Sequence, residues 1–385
     1  MHILIAFDKF KDCMTASEAC QIAQEVILKL HPNWQVTIAP FSDGGEGFCE
    51  ILTRSAYGKI ERVPVLGPQL TPQTSQIGYV DIGRLGHRVR EILHLPSEGT
   101  LAVIEMAQAS GLQSIPTDKR DPWIASTYGT GQLIAEAADA GAQEILLGIG
   151  GSATNDLGLG ALEAIGLQLM DRDGQLIDHA TPRDWPRVAR LDGEIWPNIP
   201  HINIACDVEN PLLGPHGATA TYGPQKGMRY DDYSAFESTV STMAKRVCSY
   251  FEQSESLMSA PGAGAAGGIG FGLQAACEAR MVKGFDLVES WLQLKEKVAA
   301  ADLIITGEGK FDHSSLQGKG PGSLLREAAR QHKHAKIVAG LVESRLELPP
   351  KTTADSMAPE GYTRERSIAE GKKLLARKLV QIFSK

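Results

Sequence analysis

His2-Ile-Leu-Ile-Ala6 is an apolar run that breaks into Phe7-Asp8-Lys9-Phe10-Lys11-Asp12, and Thr15 to Leu30 then sets Ala16, Ala19, Cys20, Ala23, Ile27 and Leu30 near helical spacing. Thr15 with Glu18 three residues on has the form of a capping box, which gives that helix a start. The pattern repeats: Val36 to Pro40 is β-prone, Ser42-Asp43-Gly44-Gly45-Glu46-Gly47 is a turn, and a helix runs through about Ser55. Such a βαβα opening calls for a parallel sheet.

The texture changes after Gly58. Val63, Val65, Ile77, Tyr79, Val80, Ile82, Ile92, Leu93 and Leu95 sit in short β-prone segments parted by Gly and Pro, with no helical stretch among them. These read as antiparallel strands of a second unit. From Leu101 onward helices return, over Thr130 to Ala140, Asp156 to Ile165, Tyr230 to Gln253 and the Gly-Ala stretch Gly262 to Cys277. Strands are expected among them at Leu101 to Met106, Glu144 to Leu147 and Ile202 to Cys206. The C-terminal part goes back to the opening style, with strands at Leu303 to Thr306 and Lys336 to Leu341, a helix Pro321 to Arg330, and a closing amphipathic helix Ile368 to Phe383. The fold class is therefore α/β in two domains. Residues 1–58 and 284–385 are expected to build an open parallel-sheet domain of the Rossmann or flavodoxin kind, with a mixed-sheet α/β domain, 59–283, inserted.

Length agrees, since 385 residues exceed the roughly 250 to 300 at which one hydrophobic core stops growing. A hydrophobic share of 43% and a charged share of 22% are ordinary for a folded protein and argue against disorder. Net charge is −8, which supplies no basic field for nucleic acid or acidic membranes, so neither is expected as a partner. The six cysteines are scattered without a C-x-x-C pair, which fits reduced thiols and makes a zinc site improbable. The apolar start is too short and too soon charged for a signal peptide, so a cytoplasmic location is expected. Glycine is the outlier: 40 residues is more than the usual share, and no Gly-X-Y period explains it.

Gly262-Ala-Gly264-Ala-Ala-Gly267 matches G-x-G-x-x-G in letters, but the preceding Gln253 to Pro261 is polar and no strand leads into it. Close helix packing, or an anion at the helix start, is the better use of those residues. Walker-A, zinc-protease and nucleophile-elbow signatures are absent. Instead, five glycine-bearing or charged loops come after expected strands: Asp8 to Asp12; Ser42 to Gly47; Gly148-Ile-Gly150-Gly151-Ser152-Ala-Thr154-Asn155-Asp156; Cys206-Asp207-Val-Glu209-Asn210-Pro211 with Lys226 downstream; and Thr306-Gly307-Glu308-Gly309-Lys310-Phe311-Asp312 with Gly318-Lys319-Gly320. Each has a plainer reading as a solvated turn, or as a cap by Asp43, Asn155, Asp156 or Asp207. Together they hold acids that orient a hydroxyl or a metal, lysines that offset oxyanion charge, and bare amides for phosphates, which phosphoryl transfer needs. A small-molecule kinase is the favoured class. A kinase for some other hydroxy acid, or a non-catalytic sugar-acid or nucleotide-binding regulator, is the alternative, and the presence of Asp43, Asp207 and Glu308 together favours catalysis.

These loops in this order resemble the bacterial type 1 glycerate kinase family. The matching segments include Ile5 to Lys11, Ser42 to Gly47, Ile104 to Leu112, Tyr128 to Gly131, Gly148 to Asp156, Ala205 to Gly214, Gly223 to Gly227, Pro261 to Gly268 and Ile305 to Asp312. Departures from the family pattern fall at Phe7, Lys9, Asp12 and Gly320. The resemblance implies phosphoryl transfer from ATP to D-glycerate, at the 2-hydroxyl, with Mg²⁺, in a cleft between two α/β domains. On that reading Asp207 is the expected acceptor of the hydroxyl proton, with Lys11 and Lys9 beside it as catalytic candidates. Asp43, Glu46 or Glu308 would hold Mg²⁺. Gly44, Gly45, Gly150, Gly151, Ser152, Asn155, Asn210, Lys226, Gly307, Gly309 and Lys319 are the expected substrate and phosphate contacts.

Overall fold

The computed structural model describes residues 1–42, 44–317 and 320–384, and the chain divides into two compact units, 1–43 with 285–385, and 44–284. In the first, five strands form an all-parallel sheet in the order Thr352–Ser356, His334–Ala339, Leu303–Gly307, His2–Phe7, Gln35–Ile38. The central strand His2–Phe7 carries Ile5 opposite Ile305 on one side and Ile38 on the other. Residues Ile3 to Phe7 are wholly buried, which is why this strand reads as continuous apolar sequence without alternation. The helix Ala16–Leu30 starts from the reciprocal Thr15/Glu18 capping box. Its Ala19, Cys20, Ala23 and Ile27 join Leu374, Leu375, Leu379 and Phe383 of the helix Arg364–Phe383 in one core. The C-terminal segment thus supplies one strand neighbour, Leu303–Gly307, and helical cover to the opening strand.

The second unit holds a six-stranded mixed sheet ordered Arg280–Val282, His201–Ala205, Glu144–Gly148, Thr100–Glu105, Pro72–Asp81, Lys59–Leu66. The first four are mutually parallel and the last two are antiparallel additions. Residues 44–58, placed with the first domain on sequence texture, belong to this unit. Their helix Phe48–Ser55 packs on the inserted sheet, and the Cys49 thiol donates to the Val103 carbonyl at 3.2 Å.

Several local readings change: the helix expected over Gly262 to Cys277 starts at Ile269, and the one expected over Asp156 to Ile165 spans Leu159–Glu163. The stretch read as free of helix contains His87–Leu93, whose Val89 and Leu93 are buried on one face four residues apart, while charged neighbours mask the periodicity. The long helix begins at Tyr233 and ends at Tyr250, after a 3₁₀ turn Tyr230–Asp232. Among the described residues no helix is long and apolar enough to cross a membrane.

Candidate active site

In the second unit, Glu105, Gly148 and Ala205 are register partners at the ends of three parallel strands, so the segments leaving those strands start from one sheet edge. The turn after residue 43 lies directly on that edge. Gly150 N donates to the Gly44 carbonyl at 2.9 Å, and a Cβ on Gly150 would stand 2.7 Å from Gly45 Cα. One added to Gly148 would stand 2.8 Å from Gly44 O, and one added to Gly44 would stand 3.2 Å from Ala205 O. These glycines let loop approach loop, and the Gly150 amide is thereby engaged within the chain, unlike the anion contact expected of it. Gly150→Ala is expected to force the two turns apart, at about 1 to 3 kcal/mol, read as a melting temperature lowered by about 3 to 8 °C with a matching fall in kcat/KM. An unchanged melting curve would mean that the turns part freely.

Lys226 occupies the centre of this edge. It is 2% exposed, in the 3₁₀ turn Pro224–Lys226, and its Nζ donates to Ser152 Oγ (3.0 Å), Thr154 O (2.6 Å) and Asn155 Oδ1 (3.0 Å). An ammonium has three N–H donors and all three are taken. Lys226 therefore fastens the 152–155 loop, which differs from the phosphate or carboxylate contact expected of it. Burial pulls its pKa down to about 7, and the nearby Asp156 carboxylate opposes that. Because Asn155 turns its oxygen to Lys226, its Nδ2 is left as a buried donor with no partner among the described residues, as is the Thr154 hydroxyl. Buried polar groups are normally satisfied, so these two call for an enclosed water, or for a ligand oxygen admitted by a shift of the loop.

Two carboxylates outside the expected ligand contacts, Asp156, which the sequence offers only as a cap, and Glu105, hold the edge together. Asp156 is wholly buried and accepts from Thr127 N (2.7 Å), Thr127 Oγ1 (2.8 Å), Gly158 N (3.2 Å) and Gly160 N (3.3 Å). Burial pushes its pKa up and these four donors pull it back. Glu105, 1% exposed, accepts from Gly47 N (3.1 Å), Cys49 N (3.3 Å) and Gln108 Nε2 (3.2 Å), and so fixes the Gly44–Gly47 turn. A single acid closing an otherwise apolar strand was the available signal. Glu46 in that turn accepts from Gln113 Nε2 at 2.6 Å. Gly151 has φ +76° and its carbonyl accepts from Leu112 N at 2.9 Å.

Asp207 stands half-buried two residues beyond Ala205. Asn210 shapes its loop: Nδ2 donates to His216 O (2.8 Å) and Thr221 Oγ1 (3.3 Å), and Oδ1 accepts from Tyr222 OH (2.8 Å). Both ends of that amide are occupied, so Asn210 positions the loop. The Gly-Ala stretch forms a turn in which Gly267 and Gly268 have φ +75° and +91°, and a Cβ on Gly267 would come 1.9 Å from Thr154 O. Close packing against the anion loop is its role, in line with the reading against a dinucleotide fingerprint.

In the first unit, the first and fifth loops are neighbours. Asp8 N donates to Gly307 O at 3.0 Å, Lys9 N donates to Asp8 Oδ1 at 2.6 Å, and a Cβ on Gly309 would stand 3.2 Å from Lys11 N. Asp8 is buried at the end of the central strand, Lys9 and Glu308 are half-buried, and Lys11 is exposed. Gly307 lies so close to Val338 O that a Cβ would come within 1.9 Å. Lys310 pairs with Asp312 at 2.9 Å, which holds the Asp312 carboxyl well below the usual range. Asp43 and Lys319 lie outside the described residues. The second, third and fourth loops therefore meet in one unit, and the first and fifth in the other.

Comparison with known proteins bears on the family. The profile of the "Glycerate kinase family" matches residues 3–385. "Glycerate kinase" of Halalkalibacterium halodurans is 35% identical over 384 residues, spanning 97% of this chain and 95% of that protein. "Glycerate 2-kinase" of Escherichia coli is 35% identical over 350 residues, spanning 88% of this chain and 85% of that protein. A crystal structure named for glycerate kinase 2 of Salmonella typhimurium superposes with TM-score 0.74 at 31% identity, covering 100% of this chain and 97% of that one. With a family profile matched from residue 3 to residue 385 and full-length relatives on the same two-domain α/β frame, the chain belongs to the glycerate kinase family.

Proposed function

We propose that this chain transfers the γ-phosphoryl group of ATP to the 2-hydroxyl of D-glycerate, giving ADP and 2-phosphoglycerate. The observation that carries the reading is the full-length family match on a chain whose loops after parallel strands hold the acids, amides and lysines that phosphoryl transfer uses. Asp207 accepts the proton of the glycerate 2-hydroxyl as its oxygen forms the new bond to phosphorus and the bond to the β–γ bridging oxygen breaks. The 152–155 loop, fastened by Lys226, offers Asn155 Nδ2 and the Thr154 hydroxyl to ligand oxygens admitted by a shift of the loop. Lys11 and Lys9, with the Gly307 and Gly309 backbone, are the contacts that the first unit would offer to phosphate or substrate carboxylate.

Mg²⁺ typically takes one or two carboxylates together with phosphate oxygens and waters. Glu46 or Glu308, each a carboxylate in a loop, would fit that donor set; among the described residues no group of three possible ligands is gathered. Bound with the nucleotide, the ion would neutralise charge on the β and γ phosphate oxygens. Six free cysteines are consistent with a reducing, cytoplasmic setting.

A coupled ADP-release assay over D-glycerate, tartronate, glycolate and hydroxypyruvate, with phosphorus NMR of the product, tests the reading. ADP release with D-glycerate and a 2-phosphoglycerate resonance are expected. No ADP with any of the acids would end the kinase assignment.

A further inference from the structure

The second unit contains a groove of about 660 Å³ between the segment 118–124, Arg183 and the turn 227–232. It is far larger than a three-carbon acid needs and falls within the range of cofactor pockets. Its lining sets four cations, Lys119, Arg120, Arg183 and Arg229, against three carboxylates, Asp118, Asp121 and Asp232, an excess of one positive charge. Arg183 is paired with Asp121 at 2.7 Å, but Arg120 meets only neutral carbonyls, those of Ile115 (3.3 Å), Gln225 (3.2 Å) and Leu112 (3.3 Å). Among the described residues neither Arg120 nor Lys119 nor Arg229, all lining the groove, forms an ion pair with a carboxylate. Three cations without a direct carboxylate partner, on a lining that keeps one positive charge in excess, suit a polyphosphate.

The remaining lining supplies what the rest of a nucleotide requires. Trp123 is held edge to face by buried Phe236, with centroids 4.7 Å apart and planes at 82°, so its indole is a fixed apolar surface for a base. Asp118 and Asp232 give carboxylate acceptors for ribose hydroxyls. Gly227 in the lining comes directly after Lys226, whose ammonium fastens the 152–155 loop. The groove wall and the anion loop are thus anchored to one short turn.

We propose that this groove in the inserted unit is the nucleoside polyphosphate site, with Lys119, Arg120 and Arg229 on the phosphates and Trp123 against the base. The proposal rests on the kinase reading above for the identity of its ligand, and it assigns the nucleotide to 44–284 rather than to the parallel-sheet unit. Calorimetric titration of ADP, without glycerate, into the full chain and into Arg229→Ala and Lys119→Ala tests it. Each substitution should weaken ADP binding by about tenfold or more, the loss of one charge-assisted contact, while KM for D-glycerate and the melting temperature stay within error. ADP-dependent quenching of tryptophan fluorescence should vanish in Trp123→Phe. Wild-type ADP affinity retained within twofold in both charge variants would overturn the assignment, as would inorganic phosphate binding as tightly as ADP. Failure of ATP turnover with glycerate would instead count against the kinase reading, because the ADP titration reports on the groove independently.

Discussion

Asp207→Asn is expected to lower kcat with D-glycerate by about 10² to 10⁴, the usual contribution of a positioned general base, while the protein remains folded with an unchanged melting temperature. Asparagine keeps the shape of the side chain and an oxygen that can accept a hydrogen bond from the substrate hydroxyl, but it cannot take the proton. Ground-state binding should therefore survive, and KM should move by no more than a few-fold. The loop itself is held by Asn210, whose amide bonds His216, Thr221 and Tyr222, so the substitution leaves its anchors intact. Steady-state kinetics with a circular-dichroism melt on the same preparation gives the answer. Turnover near the wild-type value would remove Asp207 from the chemistry and leave it the turn cap that its sequence context also allows.

The loops could be found from sequence because strands buried on both faces are continuous apolar runs, and the chain turns abruptly to glycine and polar residues beyond Phe7, Gly148, Ala205 and Gly307. The discontinuous arrangement was legible for the same reason, since Leu303 to Thr306 has the texture of His2 to Ala6. The helix His87–Leu93 was hidden because only Val89 and Leu93 face inward among His, Arg and Glu. Partnership across distance was not legible at all. Nothing local says that Glu105 will receive the Gly47 and Cys49 amides, or that the excess glycine serves contacts such as Gly150 on Gly45 as much as approach to phosphate. Lys226 looked like a ligand contact because lysine in a glycine turn is usually exposed. Here a neighbouring loop closes over it, and through its hydrogen bonds the same side chain becomes an internal fastener.

Lys226→Met is expected to destabilise the inserted unit by about 3 kcal/mol at pH 9, because Thr154 O and Asn155 Oδ1 lose their donor while remaining buried, and each such orphan costs roughly 1 to 3 kcal/mol. Methionine fills similar volume, so the penalty reports the lost hydrogen bonds rather than a cavity. The loss should depend on pH in a definite direction. Lysine in the unfolded chain titrates near about 10.4, whereas burial brings the folded-state value down to about 7. Between those limits the unfolded chain binds a proton that the folded chain does not, so this residue's contribution to stability rises with pH across the window. Below about pH 7 the folded protein carries the full cost of a buried ammonium, which Asp156 only partly offsets. The gap between wild type and Lys226→Met, measured by denaturant unfolding, should therefore widen from pH 6.5 to pH 9.5, with other titrating groups cancelling in the difference. With the 152–155 loop unfastened, kcat/KM for D-glycerate should fall by at least about tenfold, which corresponds to roughly 1.4 kcal/mol of lost transition-state binding. A gap constant across that range would mean that the three acceptors keep the ammonium charged throughout. A variant as stable and active as wild type would mean that the loop holds its shape without Lys226.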